Sequence, residues 1–273
     1  MGKVKIKRKS TLIDMTAMSD VTVLLLTFFM LTSTFLQKEP VTVETPSSVQ
    51  EQKVPTSNVV NVLVSPQGQV FLSVAGEADP DASVAYAKEQ NPDMSAAELR
   101  KEKGKWASDS IRRDVILQAV SDYNEVAKTP VQLTTDEVDQ LAKIGTIGFP
   151  FSDIKKFLAL SQVEQDQVFT QFYKMDEEKQ VAYNRQKDVV HVGIPIDINH
   201  ERKNEFQIWM QAIKKVAQRS YPNLNEAMTK GEGIALKSDR RTPFEQMHVV
   251  LDNLQTLKMT RFTLMTALKS QDQ

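Results

Sequence analysis

Hydrophobic and polar positions change their spacing several times along this chain, and each change predicts a different element. Residues 14–36 are almost continuously apolar, which is typical of a membrane-spanning helix. Residues 37–57 are polar, contain three prolines and show no apolar periodicity, which favours a flexible, extended linker. Two β-branched runs, 59–64 and 70–74, then flank a Pro/Gly loop, and this pattern predicts a β-hairpin.

Helical spacing dominates the middle of the chain. Capping-box sequences at Ser95, Thr134 and Ser161 predict the starts of three helices, because each places a Glu three residues after a Ser or Thr. Apolar residues recur at helical spacing within these segments, so each helix has one face that needs a core. Residues 76–187 are therefore predicted to form a mostly α-helical insertion.

Strand and helix patterns alternate in the last part of the chain. The predicted elements are a strand at 189–196, a helix at 201–219, a strand at 234–237, a helix at 243–258 that begins at Pro243, and a strand at 261–266. Together with the hairpin, this order predicts an α+β domain made of residues 58–75 and 188–273. We expect a small sheet with helices on one face, interrupted by the helical insertion.

The apolar span carries a single charge. From Met15 it runs for 22 residues in which Asp20 is the only charged side chain. As a helix this length rises about 33 Å, enough to cross a bilayer core of about 30 Å. A carboxylate costs about 2.5–3.5 kcal/mol near the bilayer centre, so it normally faces a protein surface or a cavity. On a helical wheel, Asp20 lies within about 40° of three threonines, namely Thr16, Thr27 and Thr34. This polar seam predicts a partner helix.

Other interpretations of this region stay open. A cleaved signal peptide would explain the basic start, although the apolar run is long, contains an acid and lacks a small-residue cleavage site. A passive anchor would leave Asp20 near the membrane surface without a function. Asp14, at the start of the span, fits a helix cap or first-turn acid better than a second functional carboxylate beside Asp20. Thr27 and Thr34 either extend the seam or bond to their own helix backbone.

Charge is distributed unevenly, which sets the orientation of the span. The chain has 273 residues and a net charge of −1, so no overall field favours nucleic acid as a partner. Residues 1–13 contain five basic residues and no acid. The positive-inside rule therefore predicts that they form a cytoplasmic tail, with everything after Leu36 outside the cytoplasm.

Composition also limits the chemistry. The chain has no cysteine, which excludes disulfides, thiol catalysis and zinc–thiolate sites. Its three histidines are scattered along the sequence, and no nucleophile–base arrangement occurs. We therefore expect no metal site, no cofactor and no enzymatic activity.

The segment around Asp20 resembles the ExbD/TolR family. Residues 13–25 read IDMTAMSDVTVLL directly after a basic N-terminus. In the family, an Asn-x-Thr-Pro segment leads into a membrane helix that holds one acidic residue. Here Asp14 and Ala17 stand in place of the Asn and the Pro. The hairpin at 59–74 is similar to the first two strands of the family's domain.

The C-terminal part resembles the same family. A turn at Ser238-Asp239-Arg240, followed by a helix start at Pro243 and Phe244, is similar to the family's last strand–helix–strand unit. The resemblance covers about 1–75 and 195–268. The inserted helices of 76–187 have no counterpart in it and no assigned role.

The resemblance implies a single-pass protein of the bacterial inner membrane, with its N-terminus in the cytoplasm and its C-terminal domain in the periplasm. Members of the family sit as a pair, a homodimer, inside a pentamer of ExbB/TolQ-like multi-span proteins. Proton flow past the single membrane carboxylate, whose position Asp20 matches, drives motion that reaches a TonB- or TolA-like envelope partner. TolR-like members also contact the cell wall, which makes peptidoglycan a further implied partner.

Carboxylate chemistry fits this role. A neutral acid can face an apolar protein surface, whereas an ionised one prefers a polar site or water. Protonation of Asp20 would thus change which neighbour the helix faces, and proton passage would produce rotation or displacement. The alternative is a membrane-anchored envelope-binding module that holds peptidoglycan or a partner protein without proton translocation.

Overall fold

The computed structural model describes residues 15–32, 43–48, 57–76, 103–199, 202–265 and 267–268, together with positions 40, 88, 92–95 and 97. The chain divides into two compact units, Met1–Lys38 and Glu39–Gln273. Helix α1 (Met15–Thr32) belongs to the first unit, and all other described elements belong to the second.

Helix α1 falls inside the span predicted over 14–36. The ends of that span, residue 14 and residues 33–36, lie outside the described residues, as does the predicted tail 1–13. Over the described part of the chain, no helix combines the length and the apolar character that a membrane crossing requires. The described side chains of α1, from Met18 to Phe29, are all exposed in the single chain.

A five-stranded mixed sheet organises the second unit. The described strands are β1 (Ser47–Ser48), β2 (Val59–Val64), β3 (Val70–Ala75), β4 (Thr146–Ile147), β5 (Ile234–Ser238), β6 (Thr263–Met265) and β7 (Ala267–Leu268). The order in the sheet is β4-β3-β2-β5-β6, while β1 and β7 pair separately and in parallel. β2 and β3 form an antiparallel hairpin in which Val62 lies opposite Leu72. The predicted hairpin and the strands predicted at 234–237 and 261–266 are confirmed.

Eight further helices are described in this unit. They are α2 (Lys103–Val126), α3 (Thr135–Ile144), α4 (Ile154–Leu158), α5 (Gln162–Lys174), α6 (Glu177–Tyr183), α7 (Glu205–Ser220), α8 (Pro222–Lys230) and α9 (Phe244–Thr256). The capping boxes at Thr134 and Ser161 are confirmed, because each hydroxyl accepts a hydrogen bond from the Glu backbone N–H three residues later. The box at Ser95 falls largely outside the described residues. α3 ends at Gly145, whose φ of +79° suits glycine.

One local prediction was wrong. Residues 189–196 form no strand, because Gly193 adopts a φ of +100° and Pro195 has no N–H to donate to a ladder. This segment makes isolated bonds instead, from Gly193 N–H to the Gly148 carbonyl (2.8 Å) and from Ile194 N–H to the Val70 carbonyl (2.9 Å). Farther along the chain, α7 ends at Ser220 and Pro222 begins α8, since proline is favoured at the first helical position.

One hydrophobic core joins the sheet to helices from both parts of the sequence. Val62 and Leu72 of the hairpin share it with Ile111 of α2 and Trp209 of α7, and each of these is at most 1% exposed. Trp209 stacks on Phe151, with ring centroids 4.6 Å apart. Each such side chain contributes about 1.5–3 kcal/mol when it leaves water. The helices predicted as an insertion therefore share the core of the sheet.

The opposite face of the hairpin is also covered. Leu63 and Phe71 point away from the main core and form a second, smaller cluster with Phe172 of α5. Phe71 and Phe172 are both fully buried. The prediction of helices on one face is therefore incomplete, because α5 packs on the other.

Candidate functional site

Helix α1 carries the sequence-predicted proton site. Its helical backbone places Thr16, Asp20 and Thr27 on one face, because they are spaced by four and seven residues. Asp20 is exposed in the single chain. The side chain of Thr16 and the whole of Asp14 and Thr34 lie outside what the structure describes.

The threonines of α1 bond to their own helix. Thr27 Oγ1 donates to the Leu24 carbonyl at 2.9 Å, and Thr22 Oγ1 donates to the Met18 carbonyl at 2.7 Å. A hydroxyl that donates in this way still offers lone pairs as acceptors. Thr27 can therefore accept a hydrogen bond from another group while its own hydroxyl proton stays bonded to the Leu24 carbonyl.

Large apolar side chains surround Asp20 on the helix surface. Val21, Leu24 and Leu25 are 55%, 60% and 51% exposed, and Phe28 is 57% exposed. An apolar surface that a chain leaves uncovered marks contact with lipid or with another protein. α1 therefore presents an acid within a surface that needs a nonaqueous neighbour.

A second polar site fastens the start of the C-terminal unit to the sheet. Asp239 lies just beyond β5, and its side chain is fully buried. It accepts hydrogen bonds from the backbone N–H of Glu44 and of Arg241, both at 2.9 Å, and from Arg241 Nε at 3.0 Å. In return the Glu44 carbonyl accepts from Arg240 N–H at 2.7 Å. Burial alone would raise the pKa of Asp239, but the Arg241 and backbone hydrogen bonds outweigh it and lower the pKa.

This junction includes part of the predicted linker 37–57. Val43 is buried at 8% exposure, Glu44 is held by Asp239, and β1 pairs with β7 near the C-terminus. Residues 43–48 are therefore attached to the domain, while most of the remaining linker lies outside the described residues.

The comparisons with known proteins support the family resemblance of the segment that contains α1. The family model described as Biopolymer transport protein ExbD/TolR matches residues 7–124. Over these residues the chain is similar to the ExbD/TolR family. No curated protein and no solved structure matches the chain.

The family match supports a general role for the chain. The ExbD/TolR match includes α1, the β2–β3 hairpin and most of α2, and so extends into the predicted insertion. It ends before residues 195–268, whose resemblance to the family rests on their own motif. ExbD/TolR proteins are typically inner-membrane proteins that work with ExbB/TolQ-type partners, and a role related to biopolymer transport follows.

A buried polar cluster outside the predicted sites lies around Asp153, the residue before α4. The Asp153 side chain, 1% exposed, accepts from His191 N–H at 3.0 Å, contacts His191 Nδ1 and pairs with Lys156 Nζ at 3.1 Å. Burial would raise the pKa of Asp153, but its hydrogen bonds with His191 and Lys156 outweigh burial and lower the pKa.

Glu205 lies in the same region, but its pKa is raised rather than lowered. It is the first residue of α7, and its Oε2 accepts from Phe151 N–H at 2.8 Å. Burial raises the pKa of Glu205 to about 7, and the negative charge of Asp153 acts in the same direction. The backbone hydrogen bond from Phe151 lowers it, but by less. Glu205 therefore titrates near neutral pH.

These polar contacts were not predicted from the sequence. Asp153 and Glu205 were not among the predicted site residues, and His191 was one of three histidines scattered along the sequence. Asp239 was noted only as part of the family-like turn. Within the described part of the chain, no group of three or more His, Asp or Glu residues has the arrangement of a metal site.

Proposed function

We propose that this protein is the proton-driven subunit of an ExbB–ExbD-type complex of the inner membrane. In this complex a pair of α1 helices sits inside a ring of ExbB/TolQ-like multi-span proteins and energises a TonB- or TolA-like envelope partner. The observation that carries the proposal is Asp20, an acid on an exposed apolar helix within the segment that matches the ExbD/TolR family.

The geometry of α1 supports stepwise proton transfer rather than direct exchange along the helix. Asp20 and Thr27 are seven residues apart, which corresponds to about 10 Å along the helix axis. This distance is too long for a hydrogen bond, so a proton that leaves Asp20 needs a water molecule or a group on the surrounding ring. Thr27 contributes an acceptor at the next position of the seam, since its own proton bonds Leu24.

Movement of α1 would reach the C-terminal unit through the chain itself. The first described residues after α1 that are fastened to the sheet are Val43 and Glu44, through burial and through Asp239. A displacement of the helix would therefore act on the end of β5 where Asp239 lies. Residues 43–48 and their partners form the transmission point of the proposed motor.

The proposal is tested by proton flux in liposomes that contain the full chain and its co-purified multi-span partner. We expect Asp20→Asn to remain in the complex but to reduce proton uptake to the level of the partner alone, because an amide cannot release a proton at neutral pH. Asp20→Glu should retain part of the flux. Thr22→Val is the matched control, because it removes a polar group from α1 on a different face and should leave flux unchanged.

Undiminished flux in Asp20→Asn would contradict the motor proposal. The anchored envelope-binding module would then remain, and sedimentation of the full chain with purified peptidoglycan would test it directly.

A further inference from the structure

A cationic groove lies at the end of the domain where β5 begins. It is enclosed by α7, α8 and the loop at 258–261, and its volume is about 350 Å³. Three basic side chains line it, namely Lys214, Lys258 and Arg261, and no described carboxylate does. The cationic groove therefore concentrates positive charge on a chain whose net charge is −1.

The three basic groups have no anionic partner among the described residues. Lys214 Nζ donates to the Leu257 carbonyl at 3.2 Å, and Arg261 Nη1 donates to the Thr229 carbonyl at 3.0 Å. Over the described residues, none of the ion pairs involves Lys214, Lys258 or Arg261. Nearby Lys230, by contrast, pairs with Glu226 at 2.6 Å. The charges of the groove are thus available to a ligand.

The floor of the groove is apolar. Met228 is half-buried and supplies its accessible apolar surface, above Ile234 and Met259, which are 1% and 6% exposed. Amide and hydroxyl side chains, including Asn225, lie among the basic groups. Pockets that hold small ligands have this composition, an apolar surface with a few polar groups, and volumes of about 300–1,000 Å³.

Two backbone positions beside the groove have positive φ angles. Lys258 adopts a φ of +57°, which is uncommon for a residue with a side chain. Gly231 has a φ of +97°, which favours glycine, and a Cβ there would lie 3.2 Å from the Cβ of Arg261, a tight contact. These two positions set the path of the wall that carries Arg261.

We propose that the cationic groove binds an organic anion that joins a carboxylate to an apolar body, as the C-terminal residue of a peptide does. A guanidinium presents paired N–H donors that match a carboxylate, and two ammonium groups nearby strengthen the attraction. The apolar body would cover Met228. This site is separate from Asp20, and binding there does not depend on proton translocation.

Saturation-transfer NMR on the detergent-solubilised full chain tests the proposal with three probes: N-acetyl-leucine, N-acetyl-leucinamide and N-acetylglycine. We expect saturation of N-acetyl-leucine, because it has both the charge and the apolar body. The amide lacks the charge and the glycine derivative lacks the apolar body. Each should bind at least about fivefold more weakly, given the usual size of one exposed charge contact or a partly buried side chain.

Variants locate the binding. Lys258→Asn removes a charge while keeping a residue that tolerates positive φ, and Arg261→Gln removes the second. Each should weaken N-acetyl-leucine binding by roughly fivefold, and circular dichroism should show an unchanged fold. Lys230→Gln is the matched control outside the groove and should bind as the natural chain does. Equal saturation of the acid and the amide, or unchanged binding in both folded groove variants, would overturn the proposal.

Discussion

Glu205 makes the stability of this domain depend on pH in a direction unusual for a carboxylate. Its pKa is about 7 in the folded protein because burial disfavours its charge and Asp153 adds repulsion. In the unfolded chain a glutamate titrates near 4.5. Between these values the folded state holds one proton more than the unfolded state. The free energy of unfolding therefore falls as the pH rises from about 4.5 to 7.

The magnitude follows from the same pKa difference. Each pKa unit corresponds to about 1.4 kcal/mol, so the full effect is roughly 3 kcal/mol once the pH exceeds 7. Glu205→Gln keeps an oxygen that accepts from Phe151 N–H, but it has no charge to bury. We expect this variant to match the natural chain within about 1 kcal/mol near pH 4.5 and to be more stable by up to about 3 kcal/mol at pH 8.

Other titrating groups do not obscure this result. The pKa of Asp153 is lowered, so the stability that it contributes is present above its unfolded value and is lost only as the pH falls below it. That interval lies below the one where Glu205 acts. Groups that titrate equally in both proteins cancel when the variant is compared with the natural chain at each pH.

The measurement is equilibrium unfolding by urea at pH 4.5, 6, 7 and 8, followed by circular dichroism and by tryptophan fluorescence. Trp209, in the same helix as Glu205, is fully buried and reports on the core. Glu245→Gln is the matched control, since Glu245 is an exposed first-turn acid of α9. If Glu205→Gln followed the natural chain at every pH, or were less stable at pH 8, Glu205 would not be a proton-binding group of the folded state.

Three further changes test separate parts of the structure. Asp239→Ala should destabilise the junction by about 1–3 kcal/mol, because it leaves the N–H of Glu44 without its acceptor, and hydrogen exchange at that amide should accelerate. Gly233→Ala should lower the melting temperature, since a Cβ at this position would lie 2.3 Å from the backbone N of Met228; an unchanged melting temperature would refute the close approach. Thr134→Ala should cost about 1 kcal/mol in urea unfolding through loss of the cap on α3, and a neutral result would mean that water replaces the cap.

Local signals in the sequence predicted much of the fold. The boxes at Thr134 and Ser161 marked helix starts correctly, because a cap is made within four residues. The strand predicted at 189–196 from its β-branched residues is absent, because a strand also needs a partner with free backbone groups. Gly193 and Pro195 prevent a continuous ladder of hydrogen bonds.

The contacts of the candidate sites also differ in whether a local sequence pattern can predict them. The spacing of Asp20 and Thr27 is a property of one helix, so the sequence alone placed them on one face. The contacts of the buried acids join residues far apart in sequence: Glu44 and Asp239 are separated by 195 residues, and Phe151 and Glu205 by 54. No pattern within a short window encodes such pairs, because they exist only after the elements have packed.

Residues 43–48 and the sheet are held by different kinds of contact, and this difference determines how the proposed motor would transmit force. Residues 43–48 are held by a few hydrogen bonds to Asp239 and Arg240, by the burial of Val43 and by the short β1–β7 pair. The sheet behind them is held by a continuous core. A pull through the linker would therefore release residues 43–48 before it unfolds the sheet, and six freed residues extend the tether by about 20 Å. In the proposed motor, Asp239 would therefore determine the force at which residues 43–48 detach. Above that force, movement of α1 would lengthen the tether and would no longer pull on the domain.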